Sequence, residues 1–543
     1  MTPQHLVILP ILLPLLCGAI LVPLTQGRHR LKFALSCASV LAQLATACAL
    51  MLLADDGAWK EGIGVYLAAN WAAPFGIALV ADRLSALMLL LTGVLGLASL
   101  CFSMGRWGRT GVHYHALFQF LLMGINGALL THDLFNLFVF FEVMLAASYG
   151  LVLHGYNAER LRASMQYIAV NLAAALMFLI GTSLIYATTG TLNMADLAVR
   201  IAALAPADIG LLKLGFAVLV LAFLVKSAMW PLGFWLPTTY AAASPPVAVM
   251  LVLMTKIGAV VILRLWLLMF GPEAGAAAHF GYDALVWGGM ATIVFGAAGM
   301  LSSDRAGRMA GYSAIVSSGT LLAVVGYGQP ALVTAGLYYL IGSTLAVAAL
   351  LLLIELIDRI RTPGSAMLAL TMEAWAVEDA PDEPRGEGVP AAMAFLSLAF
   401  AACALMIAGL PPLSGFIAKF SMFHALLNPA PGSAPIGTTG WTLMALVFVS
   451  GLTSIIAMMR FGVRTFWAAE ILKAPHLRLS EVAPVAGLLL LSLGMTVQAR
   501  PLFDYLARAS ADVHAPGKYV RRVLGEPVVP APASKPASRP EAP

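Results

Sequence analysis

The sequence predicts an all-α polytopic membrane protein with about fourteen transmembrane helices. Of its 543 residues, 61% are hydrophobic and only 10% are charged, and the mean hydropathy is +0.90. Soluble domains carry roughly 25% charged residues. The apolar stretches suit helical crossings of about 20 residues and are too continuous for barrel strands of about 9 to 11 alternating residues.

The predicted spans share one pattern, an apolar run bounded by polar or turn-forming residues. They cover approximately residues 5–25, 32–53, 81–104, 114–130, 134–154, 163–188, 210–241, 247–270, 283–301, 309–327, 331–357, 392–427, 440–460 and 482–499. The seventh and twelfth spans are overlong because they contain helix breaks. Between the sixth and seventh, residues 192–204 are amphipathic and predict a helix along the membrane interface.

This pattern predicts a domain organisation. N-terminal helices occupy residues 1–113, a first five-helix repeat 114–270, a second repeat 283–460 with an acidic cytoplasmic loop at 358–390, and a last helix 482–499. We expect the polar tail, residues 500–543, to be disordered.

The distribution of basic residues predicts the orientation. Alternate connections carry sixteen Lys and Arg residues, whereas the opposite connections carry four: Lys60, Arg83, Arg200 and Lys213. The positive-inside rule therefore places the first set in the cytoplasm and the N-terminus outside. An even number of crossings places the C-terminus outside as well, although its seven Lys and Arg residues favour the cytoplasm.

A lysine lies beside the break in the seventh span. Residues 224–237 read LVKSAMWPLGFWLP, with Lys226 before Pro231 and Pro237. Lipid cannot satisfy the backbone groups that prolines free, so such a break must lie within protein or along a wet cavity. An ionisable residue inside the membrane is a functional hypothesis by default.

A related break lies in the twelfth span. Residues 409–419 read GLPPLSGFIAK, with Pro411 and Pro412 before Lys419. Two interrupted helices in corresponding halves indicate the working site of a transporter. With the predicted orientation the two helices run in opposite directions, which is consistent with inverted repeats.

Two further ionisable residues fall within spans. Glu142 follows Phe140 and Phe141 in span five, and Lys256 lies near the middle of span eight. Glu142 either hydrogen-bonds to a neighbouring helix or forms an ion pair with Lys226, which would offset the desolvation of both charges. Arg264, two turns after Lys256, is predicted to be structural.

Glu142, Lys226, Lys256 and Lys419 together predict a proton relay. Burial makes the charged form of a lysine costly and a nearby carboxylate stabilises it again, so moving that carboxylate lets the lysine bind or release a proton. His132 and Asp133, at the start of span five, are candidates for the entry site; the alternative for Asp133 is a helix N-cap.

Other chemistry is not indicated. The five cysteines lie in apolar spans without a C-x-x-C motif, and no phosphate-binding loop precedes a soluble helix. We therefore expect no catalytic residues, metal site or cofactor, and no nucleic-acid partner.

Four segments carry a family resemblance: DLFNLFVFFEVMLAASY at 133–149, LVKSAMWPLGFWLPTTYAAASPPVAVML at 224–251, KIG at 256–258 and AGLPPLSGFIAKF at 408–420. They resemble the D subunits of the Mrp/Mnh/Pha multisubunit monovalent cation/proton antiporters, a family similar to the antiporter-like proton-pumping subunits of respiratory complex I. The resemblance covers about residues 5–500.

The resemblance implies fourteen helices with inverted repeats at spans four to eight and nine to thirteen. It implies that Glu142 and Lys226 form the charge pair of a first half-channel, that Lys256 is the central relay residue, and that Lys419 ends the second half-channel. It also implies a secondary transporter subunit in the bacterial inner membrane, which works with other subunits and couples proton entry to Na+ or K+ export.

The chain departs from the family pattern. Many relatives place a histidine and a lysine in span eleven, where this sequence has Gly342 and Val347, and a histidine of the tenth span is replaced around residues 316–318. The path from Lys256 to Lys419 would then use polar side chains and water. The candidates are Tyr312, Ser313, Ser317, Tyr338, Tyr339 and Ser343.

Three alternatives stay open. A membrane-arm subunit of an NADH-quinone oxidoreductase or membrane hydrogenase would use the same residues. A self-sufficient transporter of a small solute would need a pocket at mid-membrane. A scaffold with a vestigial relay is consistent with the missing histidines.

Overall fold

A computed structural model describes residues 3–25, 27–109, 111, 113–155, 157–359, 391–428, 436–466 and 477–528. The loop predicted at residues 358–390 lies outside these residues together with its acidic cluster, apart from Asp358 and Arg359 at the start of the loop. Within the described ranges, thirteen helices are long and apolar enough to cross a membrane, and the shorter apolar helix Tyr114–Leu130 fills the position of the predicted fourth span. The all-α polytopic fold is confirmed.

The helices are numbered in chain order. They are α1 (Leu9–Leu21), α2 (His29–Asp55), α3 (Arg83–Ser103), α4 (Tyr114–Leu130), α5 (Leu134–Val152), α6 (Ala158–Thr189), α7 (Met194–Ala202), α8 (Ile209–Lys226), α9 (Leu236–Ala242), α10 (Pro245–Met269), α11 (Tyr282–Ser302), α12 (Ala306–Tyr327), α13 (Pro330–Asp358), α14 (Ala391–Ala408), α15 (Ser414–Leu427), α16 (Thr438–Phe466), α17 (Leu479–Val497), α18 (Ala499–Val513) and α19 (Pro516–Leu524).

The two halves pair their helices in the same order. In the first half α4 packs on α5 and α6 packs on α8; in the second half α11 packs on α12, and α13 packs on α14 and α15. Helix α10 is buried along its apolar length and contacts α3, α8, α12 and α13. It therefore joins the two halves. The predicted domain boundaries stay predictions.

The two breaks have the same backbone design. Helix α8 is followed by Ala228 with φ of 55°, and the Met229 N–H donates to the Leu224 carbonyl at 3.0 Å. Helix α14 is followed by Gly409 with φ of 78°, and the N–H of the next residue donates five positions back, again at 3.0 Å. Both are left-handed helix caps that satisfy freed carbonyls.

The predicted helix-breaking prolines lie at or beside these caps. Pro231 and Pro412 each follow the left-handed residue by three positions, and Pro411 directly precedes Pro412. Pro237 lies in the first turn of α9, where the missing N–H leaves no helical bond unmade. Helix α12 approaches it closely, since a Cβ on Gly311 would lie 2.7 Å from the Pro237 Cα.

A β-hairpin was not predicted from the sequence. Strand β1 (Gly64–Leu67) pairs antiparallel with β2 (Ala78–Ala81), with Gly64 opposite Ala81. The hairpin lies between α2 and α3 and packs against the N-terminal residues of the chain. Its two strands are short, so an alternating pattern of apolar and polar side chains cannot be distinguished from the apolar sequence around them.

The prediction of a disordered tail from residue 500 is wrong for its first part, because α18 and α19 extend to Leu524. Each helix buries one face through tyrosine and aliphatic side chains and leaves most of its charged residues on the other. Gln4 donates to Glu526 at 2.6 Å, so both ends of the described chain lie on one face of the bundle. We call it the terminal face. The sequence from residue 529 lies outside the described residues.

Candidate functional site

The amine of Lys226 lies at the first helix break. Lys226 is the last residue of α8, and its Nζ donates to Asn171 Oδ1 of α6 at 3.0 Å. The Phe141 ring centroid is 6.0 Å from the same nitrogen. The end of α8 favours a cation because unpaired helix carbonyls carry partial negative charge. We did not predict Asn171 from the sequence, because there it is only a single amide side chain within an apolar span.

Glu142 is half-buried on α5, and its charge is near enough to interact with that of Lys226. The predicted direct ion pair is not formed: no salt bridge within 4.0 Å joins the two among the described residues. Asn171 Oδ1 occupies the position beside the Lys226 amine that the Glu142 carboxylate was predicted to take. The Lys226 amine is therefore held by a neutral oxygen, with the carboxylate at longer range.

Lys256 has no exposed surface and reaches across to the second half. Its amine donates to Ser317 Oγ of α12, and Ser317 donates to Ser343 Oγ of α13 at 2.8 Å. The Tyr339 hydroxyl lies beside Ser317 and Thr320. Three of the residues predicted for the polar path thus meet at Lys256, and Thr320 was not predicted.

The other predicted path residues lie elsewhere. Ser313 is buried one turn before Ser317 on α12, and the Tyr312 ring packs on Phe295 at 5.9 Å. The Tyr338 hydroxyl donates to the Met495 carbonyl of α17 at 3.1 Å. Neither tyrosine continues the chain of hydrogen bonds from Lys256.

Lys419 lies at the second break. Its amine donates to the carbonyls of Ala408 at 2.8 Å and Ile407 at 3.4 Å. These carbonyls belong to the last turn of α14, where helical partners are missing. Lys226 precedes its break as the last residue of α8, and its amine binds an amide oxygen of α6. Lys419 follows its break, and its amine binds the carbonyls that end α14. Both breaks therefore hold a buried amine against neutral oxygens.

The gap between Ser343 and Lys419 contains a second serine pair. Ser414 Oγ and Ser492 Oγ are 2.5 Å apart, and a Cβ on Gly342 would lie 3.4 Å from Ser414 Oγ. Val347, one turn after Ser343, is buried and apolar. No hydrogen bond joins the two serine pairs in the described structure, so the chain of hydrogen bonds that starts at Lys256 is interrupted between them.

His132 and Asp133 do not form an open mouth. Asp133 caps α5 by accepting the Asn136 N–H at 2.8 Å, which is the alternative considered for it. His132 is fully buried, with Nδ1 donating to the Leu130 carbonyl at 3.0 Å and Nε2 accepting from Arg264 at 2.6 Å. Burial and the Arg264 charge lower the pKa of His132 to about 3, so the ring stays neutral.

Under the relay predicted from the sequence, replacing Ser317 with alanine is expected to slow proton transfer beyond Lys256, roughly tenfold or more, because the positioned hydroxyl that accepts from the amine is lost. The measurement is the rate of cation-dependent pH-gradient collapse in vesicles. Ser318 is the matched control, since its buried hydroxyl has no hydrogen-bond partner. Equal rates for Ser317→Ala and Ser318→Ala would contradict the role of Ser317.

A bundle with two interrupted helices, each with a buried lysine beside its break, defines a class of membrane transport proteins with internal repeats. The chain belongs to the family described as NADH:quinone oxidoreductase/Mrp antiporter, TM, whose sequence model matches residues 131–453.

Within this family the chain is similar to the D subunits of antiporters. It is 52% identical to a probable K(+)/H(+) antiporter D subunit of Rhizobium meliloti, over 96% of this chain and 98% of the relative. It is 32% identical to the Na(+)/H(+) antiporter D subunit of Bacillus subtilis, over 96% of this chain and 100% of the relative. A chain of the Mrp complex from Dietzia sp. superposes with a TM-score of 0.82 at 27% identity, over 97% of this chain and 100% of that chain.

Proposed function

We propose that this chain is the proton-translocating membrane subunit of a multisubunit Na+(K+)/H+ antiporter. Protons move through Glu142, Lys226, Lys256 and Lys419, and their movement is coupled to export of a monovalent cation. The observation that supports this most is the setting of the lysines, which are 7%, 0% and 7% exposed and bind neutral oxygens. Neutral partners accept a hydrogen bond from an amine whether or not it is charged.

The proposed relay depends on the cost of burying charge. A buried amine without a counterion favours its neutral form, and a carboxylate at longer range favours the charged form. Movement or protonation of Glu142 would therefore change the proton affinity of Lys226 while Asn171 keeps the amine in place. Lys256 and the Ser317 hydroxyl then lie between the two breaks as the central step.

The proposed partners are other subunits of a hetero-oligomeric complex, the lipid bilayer, protons and Na+ or K+. The half-exposed carboxylate of Glu142 supports a neighbouring subunit on the α5 face, because a carboxylate facing lipid is costly. We place the chain in a bacterial inner membrane with its terminal face outside. The runner-up is a membrane-arm subunit of an oxidoreductase, which the family name includes; the 52% identity to an antiporter subunit favours the first role.

The test uses the complete complex in inverted vesicles from a host without its own antiporters. Glu142→Gln should reduce cation-dependent collapse of the pH gradient by roughly a hundredfold, the scale of a positioned proton-transfer group. The control is Glu159→Gln, an exposed carboxylate paired with Arg305 at 2.6 Å. Normal antiport by an assembled Glu142→Gln complex would refute the relay.

A further inference from the structure

A row of buried polar side chains lies between α2 and α4. Ser39 and Gln43 belong to α2, Gln119 and Asn126 belong to α4, and all four are buried. Ser39 Oγ donates to Gln119 Oε1 at 3.0 Å, and Gln43 Nε2 donates to Ser39 Oγ at 3.1 Å. Asn126 Nδ2 donates to Gln43 Oε1 at 2.9 Å. Polar side chains within a membrane are costly, so we examined where this row ends.

The row ends at a backbone carbonyl of α1. Asn126 Nδ2 also donates to the Pro10 carbonyl, at 2.8 Å. Pro14 lies inside α1 four residues after Pro10 and has no N–H with which to bind that carbonyl. The Pro10 oxygen is therefore available to a neighbouring helix, and carbonyls of interrupted helices are the oxygens that bind cations in many transporters.

The amide of Asn126 has a buried oxygen without a partner. The residue is 2% exposed, and its Oδ1 accepts no hydrogen bond in the described structure. Buried polar atoms are normally paired, so this oxygen calls for a water molecule or an ion. Rotation of the amide by half a turn exchanges its nitrogen and its oxygen. Oxygens of Asn126, Gln43 and Pro10 would then face one another, and a cation between them would satisfy all three.

The position of these oxygens suits a cation. Gln43 lies near the middle of α2, which extends from His29 to Asp55, and transporters hold their ions near the middle of the membrane. Asn126 lies one turn before the end of α4 at Leu130, and the carbonyl end of a helix carries partial negative charge.

The chemistry of the oxygens favours a monovalent ion. All three belong to neutral groups, whereas sites for Ca2+ are built largely from carboxylates. No cluster of three or more His, Cys, Asp or Glu side chains that could hold a metal lies within the part of the chain that the structure describes. Neutral carbonyl oxygens are the ligands that replace the water shell of K+ in channels.

We propose that Asn126, Gln43 and the Pro10 carbonyl form a binding site for a dehydrated monovalent cation, Na+ or K+. Asn126 Oδ1, Gln43 Oε1 and the Pro10 oxygen are its protein ligands, and water completes the shell. The site joins α1, α2 and α4, and none of its three residues hydrogen-bonds to a proposed relay residue. That the bound ion is the exported cation rests on the proposed function.

The test is cation binding to the purified complete complex. Equilibrium binding of radioactive Na+ and of Rb+, a tracer for K+, is measured with choline keeping the ionic strength constant. Asn126→Leu preserves most of the side-chain volume and removes the oxygen. It should weaken binding of the preferred ion about tenfold or more, the scale of one lost contact to a charged group.

Gln119→Leu is the matched control, because it removes another buried amide of the same row on the same helix but no proposed ligand. It should leave cation affinity unchanged. The preferred ion should raise the unfolding temperature of the wild-type and Gln119→Leu complexes, and not that of Asn126→Leu. Equal affinities in the two variants would overturn the site and leave a row that only holds helices together, with water on Asn126.

Asn126→Asp keeps the test decisive if Asn126→Leu does not assemble. A buried carboxylate is strongly destabilised without a counterion, so the bound cation becomes its partner. At alkaline pH this variant should bind the preferred ion about tenfold more tightly or more. Unchanged or weaker binding would contradict the site.

The binding measurement does not require antiport. In inverted vesicles, Asn126→Leu should raise the cation concentration that gives half-maximal antiport, whereas Glu142→Gln should lower the maximal rate. Normal antiport by the Glu142→Gln complex would refute the relay and leave the binding result standing. Conversely, unchanged cation binding by Asn126→Leu would refute this site and leave the relay intact.

Discussion

An assembled complex carrying Lys226→Ala is expected to show almost no cation-dependent proton movement, with a rate lowered roughly a hundredfold or more. The substitution removes the amine that Asn171 holds at the end of α8. Without it, no ionisable group remains between Glu142 and Lys256 on the proposed path. The measurement is collapse of a preformed pH gradient in inverted vesicles after addition of Na+ or K+.

Lys226→Arg separates charge from proton transfer. A guanidinium stays protonated in proteins, so it preserves the positive charge but cannot release a proton. This variant should assemble and still fail to transport. Lys213, a partly exposed lysine whose amine donates to the Ala276 carbonyl at 3.3 Å, provides the control for an amine outside the path. Antiport at the normal rate in Lys226→Arg would show that only the charge matters there.

Arg264→Ala is expected to destabilise the folded protein by about 3 to 5 kcal/mol, because it leaves the buried Asp82 carboxylate without its partner. The check is the thermal unfolding temperature of the purified complex together with the amount of this chain assembled. The double variant Asp82→Ala with Arg264→Ala should be milder than either single variant, since no lone buried charge remains. Additive losses would contradict this explanation.

The ion pair between Asp82 and Arg264 should stabilise the folded protein to the same extent throughout the neutral pH range. Burial alone would raise the pKa of Asp82, but the charge and hydrogen bonds of Arg264 lower it below its ordinary value. A carboxyl whose folded pKa is lowered contributes stability above its unfolded pKa, about 4, and loses it only in stronger acid. Unfolding temperatures between pH 5 and pH 8 should therefore show no weakening from Asp82.

Hydropathy was sufficient to predict the spans, and prolines were sufficient to predict the breaks. These signals are local: a crossing needs about 20 apolar residues, and a proline removes an N–H wherever it lies. The four ionisable residues stood out for the same reason, as rare charges in apolar runs. The hairpin at residues 64–81 and helices α18 and α19 gave weaker signals, because short strands and short amphipathic helices resemble ordinary connections.

The sequence by itself determined the fold class, the family, the two breaks and the identity of the four proposed relay residues. Only the tertiary structure decided what each amine binds: Asn171 rather than Glu142, the serine pair of α12 and α13, and the carbonyls that end α14. It also joined Arg264 to Asp82. Such partners come from helices far apart in the chain, and their meeting depends on packing, which no local pattern of residues encodes.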